Sequence, residues 1–171
     1  MTAATHRVWR LGTDVDTDQL APGAYMKLGI EGIAPHCLER TRPEFASQVQ
    51  LGDVIAAGPN FGVGSSREQA AGALVHLGLR AVIAPSFGGL YFRNAFNLGL
   101  LLVTCSEAES LEDGEQVGLD LQRLQVLTAK GRALPCEPIP AFLLEMVEAG
   151  GLMNQLRQRL KSGAQAAREE A

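Results

Sequence analysis

Short apolar segments alternate with amphipathic segments over the first two thirds of the chain. Residues 53–57, 80–84 and 100–104 are almost entirely apolar, which is typical of strands buried on both faces of a sheet. Residues 68–77 and 90–97 lie between these strands and have helical periodicity, and a glycine closes each segment. Strands and helices that alternate in this way predict a parallel sheet covered by helices on both faces.

The last third of the chain has a different pattern. Three short segments alternate apolar and polar residues between polar turns, which predicts an antiparallel β meander. They are residues 115–121, 123–128 and 132–136. A helix is predicted over residues 140–147, with a proline at its start, and residues 152–160 form an amphipathic segment that could pack on the domain or on a partner. The tail from residue 161 is expected to be frayed.

The segments before residue 53 give weaker indications of secondary structure. Residues 7–11 alternate and predict a short strand. Residues 21–32 are rich in glycine and lack periodicity, which favours a loop. Residues 33–40 and 42–49 each predict a short helix. The whole chain, residues 1–171, is therefore predicted to be one α/β domain with a mostly parallel central sheet and a C-terminal antiparallel β segment.

Composition and charge exclude several classes of protein. The 171 residues are 46% hydrophobic and 20% charged, which is typical of a globular domain with a substantial core. A formal net charge of −4, without a basic stripe, argues against a nucleic-acid partner. The longest apolar run, residues 98–103, is too short to span a membrane, and residues 1–7 lack the apolar core of a signal peptide. A cytoplasmic protein without a membrane partner is expected.

Cysteine and acidic residues give little support for a metal site or a cysteine nucleophile. Cys37, Cys105 and Cys136 have no C-x-x-C spacing, so the thiols are expected to be reduced and mostly buried. His36 precedes Cys37, but neighbouring helical residues do not face each other, which favours packing roles for both. The acidic loop, residues 13–18, has alternating aspartates but lacks the central glycine and closing glutamate of an EF-hand loop, so turn capping is favoured over calcium binding.

The strand-to-helix turn at residues 58–70, here called the glycine turn, is the segment with the clearest chemistry. It contains Gly58, Gly62 and Gly64, and glycine allows positive φ and close approach of a ligand to the backbone. Free N–H groups and the positive end of a helix dipole would attract an anion there. Known phosphate loops do not fit, because a Walker ending is missing and Arg67 stands where a dinucleotide fingerprint has its third glycine.

Two interpretations of the serines in the glycine turn stay open. The spacings Ser65-x-x-Glu68 and Ser66-x-x-Gln69 both fit a capping box, which would only start the following helix. An arginine beside two serines is unfavourable for the helix dipole but well suited to a carboxylate. The turn is therefore either a helix cap or an anion site that contains Ser65, Ser66 and Arg67.

Four motifs together resemble the small subunit of 3-isopropylmalate dehydratase, which corresponds to the swivel domain of aconitase. They are Asp-Val-Asp-Thr-Asp-Gln at residues 14–19, Asn-Phe-Gly-Val-Gly-Ser-Ser-Arg-Glu at residues 60–68, Pro-Ser-Phe at residues 85–87 and Phe-Arg-Asn-Ala at residues 92–95. The resemblance extends from about Val8 to Leu156. It implies a swivelling three-layer β/β/α domain and an enzyme of leucine biosynthesis.

The resemblance also implies a reaction and an active site that is shared between two subunits. Members of the family isomerise 2-isopropylmalate and 3-isopropylmalate by removing water to give a cis-alkene and adding it back at the neighbouring carbon. A 4Fe-4S cluster, which acts as a Lewis acid on the leaving hydroxyl, is expected on a separate large subunit, so this chain alone is expected to be inactive. The resemblance implies two catalytic residues, which are Ser65, as an alkoxide base, and Asp18. It implies substrate binding by Ser66, Arg67 and Lys27. Gly62 and Gly64 would shape the turn.

Several positions depart from the family pattern and leave alternatives open. Many members have cysteine at the position of Val63 and histidine at that of Gln69, and the glycine-rich segment after Tyr25 differs as well. A related hydro-lyase of homoaconitase, dimethylmalate or citraconate/methylmalate type is one alternative. A non-catalytic carboxylate-binding module and a structural subunit whose serines are only caps are others. Arg93 and Asn94 are either the polar face of a helix or a support under the active site.

Overall fold

A mixed sheet forms the centre of the molecule. The computed structural model describes residues 5–169, with side chains as far as residue 162. Seven strands lie within these residues: β1 (Thr5–Arg10), β2 (Val54–Ala56), β3 (Ala81–Ala84), β4 (Leu101–Thr104), β5 (Gln116–Asp120), β6 (Gln125–Thr128) and β7 (Ala133–Pro135). Their order across the sheet is β4-β3-β2-β1-β5-β6-β7.

Strand β1 joins a parallel half of the sheet to an antiparallel half. On one side β1, β2, β3 and β4 run parallel, with Val82 opposite both Ile55 and Leu102. On the other side β1 is antiparallel to β5, which pairs with β6, and β6 pairs with β7. The residues of β2 and β3 are all buried, as the apolar segments predicted. The α/β class, the parallel strands and the C-terminal antiparallel segment are confirmed.

The helices cover the parallel strands and pack on one another. Within residues 5–169 they are α1 (Thr17–Leu20), α2 (Gly29–Ile33), α3 (Phe45–Gln48), α4 (Gln69–His76), α5 (Gly89–Asn97), α6 (Ala141–Glu148) and α7 (Leu152–Glu169). Helix α4 packs against α1, α2 and α5, and α5 also packs against α6 and α7. The predicted positions of α4, α5 and α6 are correct to within about two residues. The expected fraying of the tail from residue 161 stays a prediction, and residues 170–171 lie outside the described residues.

A hydrogen bond joins the end of β4 to the segment just after β7, and these are the two edge strands of the sheet. The backbone N–H of Glu137 donates a hydrogen bond to the carbonyl of Thr104 at 2.9 Å. The thiols of Cys105 and Cys136 are neighbours at this junction, and interaction with Cys136 lowers the pKa of Cys105. Cys37 is buried elsewhere, and burial raises the pKa of its thiol. All three cysteines are free thiols and two of them are buried, as predicted.

The segment at residues 21–32 is helical, so the predicted loop is wrong. A 3₁₀ turn spans Gly23–Leu28, and α2 follows it directly. The ring of Tyr25 stacks on His36 with centroids 3.5 Å apart, and His36 also binds Glu39 at 2.7 Å. The stacking of Tyr25 ties this segment to a residue that follows it in the chain, and such a contact outweighs the low helix propensity of its glycines. The contacts of His36 also confirm that it has a packing role.

The helices predicted over residues 33–40 and 42–49 are too long. The first is reduced to the end of α2 and a 3₁₀ turn at Ala34–His36, which contains Pro35. Leu38 then has a φ of +61°, a left-handed conformation that ends helical structure. The second is reduced to the single turn of α3. The residue pattern of both segments is compatible with longer helices, but the positive φ of Leu38 interrupts the first one.

Candidate active site

The loops after β1 and β2 lie side by side at the carboxyl ends of these strands. The N–H of Gly62 donates to the carbonyl of Val15 at 2.7 Å, and the N–H of Thr17 donates to the carbonyl of Val63 at 2.9 Å. A parallel bridge between Asp16 and Val63 continues the pairing of the strands beyond their ends. The acidic loop and the glycine turn are therefore held in a fixed register, at the edge where parallel sheets bind ligands.

The glycine turn also rests on the loop after β3 and on α5. The N–H of Phe61 donates to the carbonyl of Ser86 at 3.1 Å, and the N–H of Gly88 donates to the carbonyl of Phe61 at 2.8 Å. Gly62 has a φ of +78°, and a Cβ at this position would lie 2.1 Å from Cγ of Tyr91. Since no side chain fits in that space, position 62 requires glycine.

Ser65 lies at the exposed tip of the glycine turn. Its Oγ accepts a hydrogen bond from Nε of Arg67 at 2.7 Å, and the Oγ1 of Thr17 lies 3.1 Å from the same oxygen. The backbone N–H of Ser65 donates to Thr17 Oγ1 at 3.0 Å. The side chain of Ser65 is exposed to solvent, whereas Thr17 is buried. The Ser65 hydroxyl is thus oriented by two neighbours and remains open to a substrate.

Neither serine caps α4, so the interpretation of the turn as a helix cap is wrong. Helix α4 begins at Gln69, and no side chain makes a capping hydrogen bond at its N-terminus. Ser65 lies four residues before α4 and is bound to Thr17 and Arg67 instead. In the part of the chain that the structure describes, the N–H groups of residues 66–68 make no hydrogen bond and stay available to an anion.

Arg67 links the glycine turn to the acidic loop. Its Nη1 donates to Oδ1 of Asp18 at 3.1 Å and to the carbonyl of Ala21 at 2.8 Å, while Nε binds Ser65. Within residues 5–162, its Nη2 makes no hydrogen bond. The guanidinium is therefore fixed in position by the protein and presents one nitrogen, with two donors, to a carboxylate.

Asp18 is held as a carboxylate. The N–H of Gly23 donates to its Oδ1 at 3.0 Å, and this bond, followed by the one from Arg67, lowers the pKa of Asp18 from its ordinary value of 3.8. An aspartate with a lowered pKa has no proton to give at neutral pH. Its contacts indicate a residue that orients Arg67.

The other two aspartates of the acidic loop have structural contacts. Asp14 accepts a hydrogen bond from Nδ2 of Asn60 at 2.9 Å, and Asp16 caps α1 by accepting one from the N–H of Gln19 at 2.8 Å. The predicted role in capping is confirmed for Asp16. Within residues 5–162, no group of three His, Cys, Asp or Glu side chains could hold a metal ion.

The remaining predicted site residues differ in their distance from this cluster. Ser66 is exposed, and its carbonyl accepts a hydrogen bond from Nδ2 of Asn94 at 3.0 Å, so α5 supports the turn. Lys27 is exposed on the 3₁₀ turn, and within residues 5–162 it makes no hydrogen bond or ion pair. The structure therefore brings together Ser65, Arg67 and Asp18, with Ser66 beside them, and does not bring Lys27 into contact with them.

Two participants were missed by sequence reasoning. Thr17 contacts Ser65 through its side chain, and Ala21 contacts Arg67 through its carbonyl. Every residue has a backbone carbonyl, so the residue type at position 21 could not reveal the contact with Arg67. The only signal for Thr17 was its position directly before Asp18 in a motif of the family, which marks the loop but not the threonine.

Comparisons with known proteins agree with this geometry. Residues 42–108, which include the glycine turn and the segments through β4, match the family described as the aconitase C-terminal domain. No helix among the described residues is long and apolar enough to cross a membrane.

Relatives match over nearly their whole length. The chain is 43% identical over 158 residues to 3-isopropylmalate dehydratase small subunit 1 of Archaeoglobus fulgidus, a match covering 90% of this chain and 98% of that protein. It is 44% identical over 160 residues to the methanogen homoaconitase small subunit of Methanothermobacter thermautotrophicus, covering 92% of each. The crystal structure of a 3-isopropylmalate dehydratase from Methanocaldococcus jannaschii matches with a TM-score of 0.88 at 38% identity, covering 95% of this chain and 98% of that one.

Proposed function

This chain belongs to the family of 3-isopropylmalate dehydratase small subunits, and we therefore propose that it is the small subunit of a hydro-lyase that interconverts 2-isopropylmalate and 3-isopropylmalate. The reaction removes water to give a cis-alkene and adds water back with the hydroxyl on the neighbouring carbon. It is a step of leucine biosynthesis.

The observation that carries this proposal is the pair of hydrogen-bonding neighbours around Ser65 Oγ. As the base, Ser65 takes the proton from the carbon α to a substrate carboxylate while hydroxide leaves the adjacent carbon. A serine hydroxyl is a weak base unless its anion is stabilised, and the Arg67 guanidinium at 2.7 Å supplies positive charge at the oxygen. In the second half of the isomerisation, Ser65 returns the proton to the alkene carbon that first carried the hydroxyl group, and hydroxide adds to the carbon that lost the proton.

Arg67 and its neighbours bind the substrate carboxylate. The Nη2 of Arg67 and the N–H groups of residues 66–68 make no hydrogen bond within residues 5–162, lie close to Ser65 along the chain, and suit a carboxylate. Asp18 acts through Arg67, by fixing the guanidinium with its charge. The role of Lys27 in substrate binding stays a prediction from the resemblance, and a contact with substrate would require movement of the 3₁₀ turn or a surface added by a partner.

A large partner subunit supplies the rest of the site. The relatives are named small subunits, so the chain functions in a heteromeric enzyme. An iron-sulfur cluster on the partner would supply a Lewis acid for the substrate hydroxyl. The described residues of this chain offer no ligand set for such a cluster. A cytoplasmic location is part of the same proposal.

Docking of the partner would also exclude water from Ser65. The serine is exposed in the isolated chain, and charge stabilisation by Arg67 is weak in bulk water because of its high dielectric constant. The same two side chains in a closed site interact several times more strongly. The free subunit is therefore inactive in this proposal.

A second candidate substrate is homocitrate or a related acid. A homoaconitase small subunit is as similar to this chain as the isopropylmalate enzymes are. The reacting groups, a hydroxyl and two carboxylates, are shared by these substrates, and only the side group differs. The base and the arginine serve either reaction.

The test is purification of the tagged chain from its own cells without oxygen, followed by assays with 2-isopropylmalate, homocitrate, dimethylmalate and citraconate. A co-purifying large subunit, iron and turnover together support the proposal, and the preferred acid names the substrate. Ser65→Ala should then reduce turnover by at least about 10³-fold with assembly unchanged. A chain that elutes alone and without iron, yet binds a dicarboxylate, would instead identify a carboxylate-binding module.

A further inference from the structure

Thr17 occupies an unusual place among the residues around Ser65. It is the first residue of α1, the residue is 2% exposed, and its backbone N–H donates to the carbonyl of Val63. The cap provided by Asp16 fixes the start of α1. The hydroxyl of Thr17 is therefore held rigidly against the glycine turn from the side of the acidic loop.

The surroundings of the Thr17 and Ser65 hydroxyls favour Thr17 as the donor of the hydrogen bond between them. Thr17 Oγ1 accepts the hydrogen bond from the Ser65 N–H at 3.0 Å and lies 3.1 Å from Ser65 Oγ. Within residues 5–162, the Thr17 hydroxyl has no other partner. A buried hydroxyl proton without an acceptor is unfavourable, whereas the exposed Ser65 can direct its proton to water or to substrate. The lower-energy arrangement has Thr17 donating to Ser65.

This arrangement leaves the Ser65 proton unbound by the protein. Ser65 Oγ accepts from Thr17 and from Arg67, so both intramolecular bonds persist when the oxygen loses its proton. Hydrogen bonds that are made to a charged form favour that form. Neither donor has to reorient as charge develops.

Gly64 keeps the contact between Thr17 and Ser65 short. It has a φ of +114°, and a Cβ at this position would lie 2.9 Å from Thr17 Oγ1. A side chain there would push the hydroxyl away from Ser65. The small size of residue 64 and the burial of Thr17 thus serve the same contact.

We infer that Thr17 is a positioning residue for the reaction, whose hydroxyl donates to Ser65 Oγ and stabilises the deprotonated serine. This inference rests on the proposed role of Ser65 as the base. Thr17 touches no substrate atom, and its effect passes through Ser65.

The experiment compares four variants of the chain assembled with its large subunit: Thr17→Val, Thr17→Ser, Thr13→Val and Ser65→Ala. Valine keeps the shape of threonine and removes the donor, and serine restores the donor. Thr13→Val makes the same chemical change in the same loop, at an exposed side chain that forms no hydrogen bond within residues 5–162. The kcat and KM values are measured across a pH series, and the thermal unfolding of each complex is recorded.

We expect Thr17→Val to lower kcat on the order of 10²-fold, with KM changed by less than about twofold, since the lost bond acts on the base and not on substrate binding. The acid-side limb of kcat/KM should move to higher pH by about one unit, because a base that loses a donor to its anion becomes harder to deprotonate. Thr17→Ser should restore both properties, and Thr13→Val should behave as wild type.

Three outcomes would overturn the inference. One is wild-type kcat in Thr17→Val. Another is a lower kcat with an unmoved acid limb and no rescue by Thr17→Ser, which would indicate a purely structural role. The third is full turnover in Ser65→Ala, which would remove the proposed base itself, whereas an inactive Ser65→Ala beside a normal Thr17→Val refutes only the role of Thr17. If Thr17→Val does not assemble, Thr17→Cys, a weak donor of similar size, should show the same loss and the same shift.

Discussion

Arg67 donates from its Nε to Ser65 Oγ at 2.7 Å, across a single intervening residue. Nη1 of the same guanidinium donates hydrogen bonds to Asp18 and to the carbonyl of Ala21. One guanidinium thus orients the proposed base and fixes the acidic loop. A lysine ammonium carries the same charge but lacks the planar fork that makes these contacts together.

We expect Arg67→Lys to lower kcat/KM by about 10²- to 10³-fold, because the donor to Ser65 is lost or displaced. Steady-state kinetics of the assembled enzyme measure this. Arg80→Lys is the matched control, since Arg80 is exposed and its side chain makes no hydrogen bond within residues 5–162. Wild-type kinetics in Arg67→Lys would show that charge alone is sufficient.

Asp18→Asn should lower kcat/KM by about 10- to 100-fold by loosening Arg67. Because the hydrogen bonds from Gly23 and Arg67 lower the pKa of Asp18 below its ordinary 3.8, the wild-type enzyme should show no inflection from Asp18 near neutral pH. Asp120→Asn is the control, since Asp120 is half-buried, lies in β5, and within residues 5–162 its carboxylate contacts only Arg123. An Asp18→Asn enzyme with wild-type kcat/KM would contradict the role of Asp18.

The same pKa shift affects the stability of the free chain. A carboxyl whose folded pKa lies below its unfolded pKa stabilises the fold above the unfolded value, and the contribution is lost as the pH falls through the folded value. Stability of the wild type should therefore decline below pH 3.8 more steeply than that of Asp18→Asn. Urea unfolding in a series of acidic buffers measures the difference, and parallel curves would argue against the shift.

Gly62→Ala should destabilise the chain by more than about 3 kcal/mol, since the added Cβ would overlap the ring of Tyr91 at 2.1 Å. Gly131→Ala is a close control: its φ of +80° is nearly the same as that of Gly62, but no atom lies within 4 Å of the added Cβ. Backbone strain alone should make Gly131→Ala less stable by about 1–2 kcal/mol. Equal losses in the two variants, measured by urea unfolding, would mean that contact with Tyr91 is unimportant.

Tyr91→Phe should stabilise the chain, in contrast to most substitutions in a core. The Tyr91 hydroxyl is buried and has no hydrogen-bond partner among the described residues. Removal of an unpaired buried hydroxyl should raise the free energy of unfolding by about 1 kcal/mol. Tyr25→Phe, at a half-buried ring, should change it much less. A loss of stability in Tyr91→Phe would indicate a partner such as a buried water.

The sequence predicted the structure best where burial or steric fit alone determines which residues a segment can contain. The apolar runs predicted β2, β3 and β4 because burial on both faces leaves strands almost entirely apolar. The glycine turn was located by its three glycines, and one of them is required in the structure because a Cβ at Gly62 would overlap Tyr91. The resemblance to 3-isopropylmalate dehydratase small subunits, seen in four short motifs, is confirmed by relatives that match over 90% of the chain.

Sequence reasoning failed where contacts between distant segments decide. The serine spacings fitted a capping box, but Ser65 is instead bound to Thr17, 48 residues earlier. The segment at residues 21–32 is helical and its Tyr25 stacks on His36, and Leu38 ends the helical structure in a left-handed conformation that its residue type does not favour. Thr17 itself is identified only by burial and by distances, which periodicity does not encode.

The bonds that extend the pairing of β1 and β2 into the loops have a consequence for folding. They join amides and carbonyls that are more than 40 residues apart, such as those of Thr17 and Val63, so the loops acquire their geometry only when the sheet has formed. The proposed site should then open in the same cooperative event as the strands beneath it, and the amides of Thr17 and Gly62 should exchange with deuterium as slowly as those of β2. Because the sheet already holds these loops in place, little free energy is needed to order the proposed site when a partner binds.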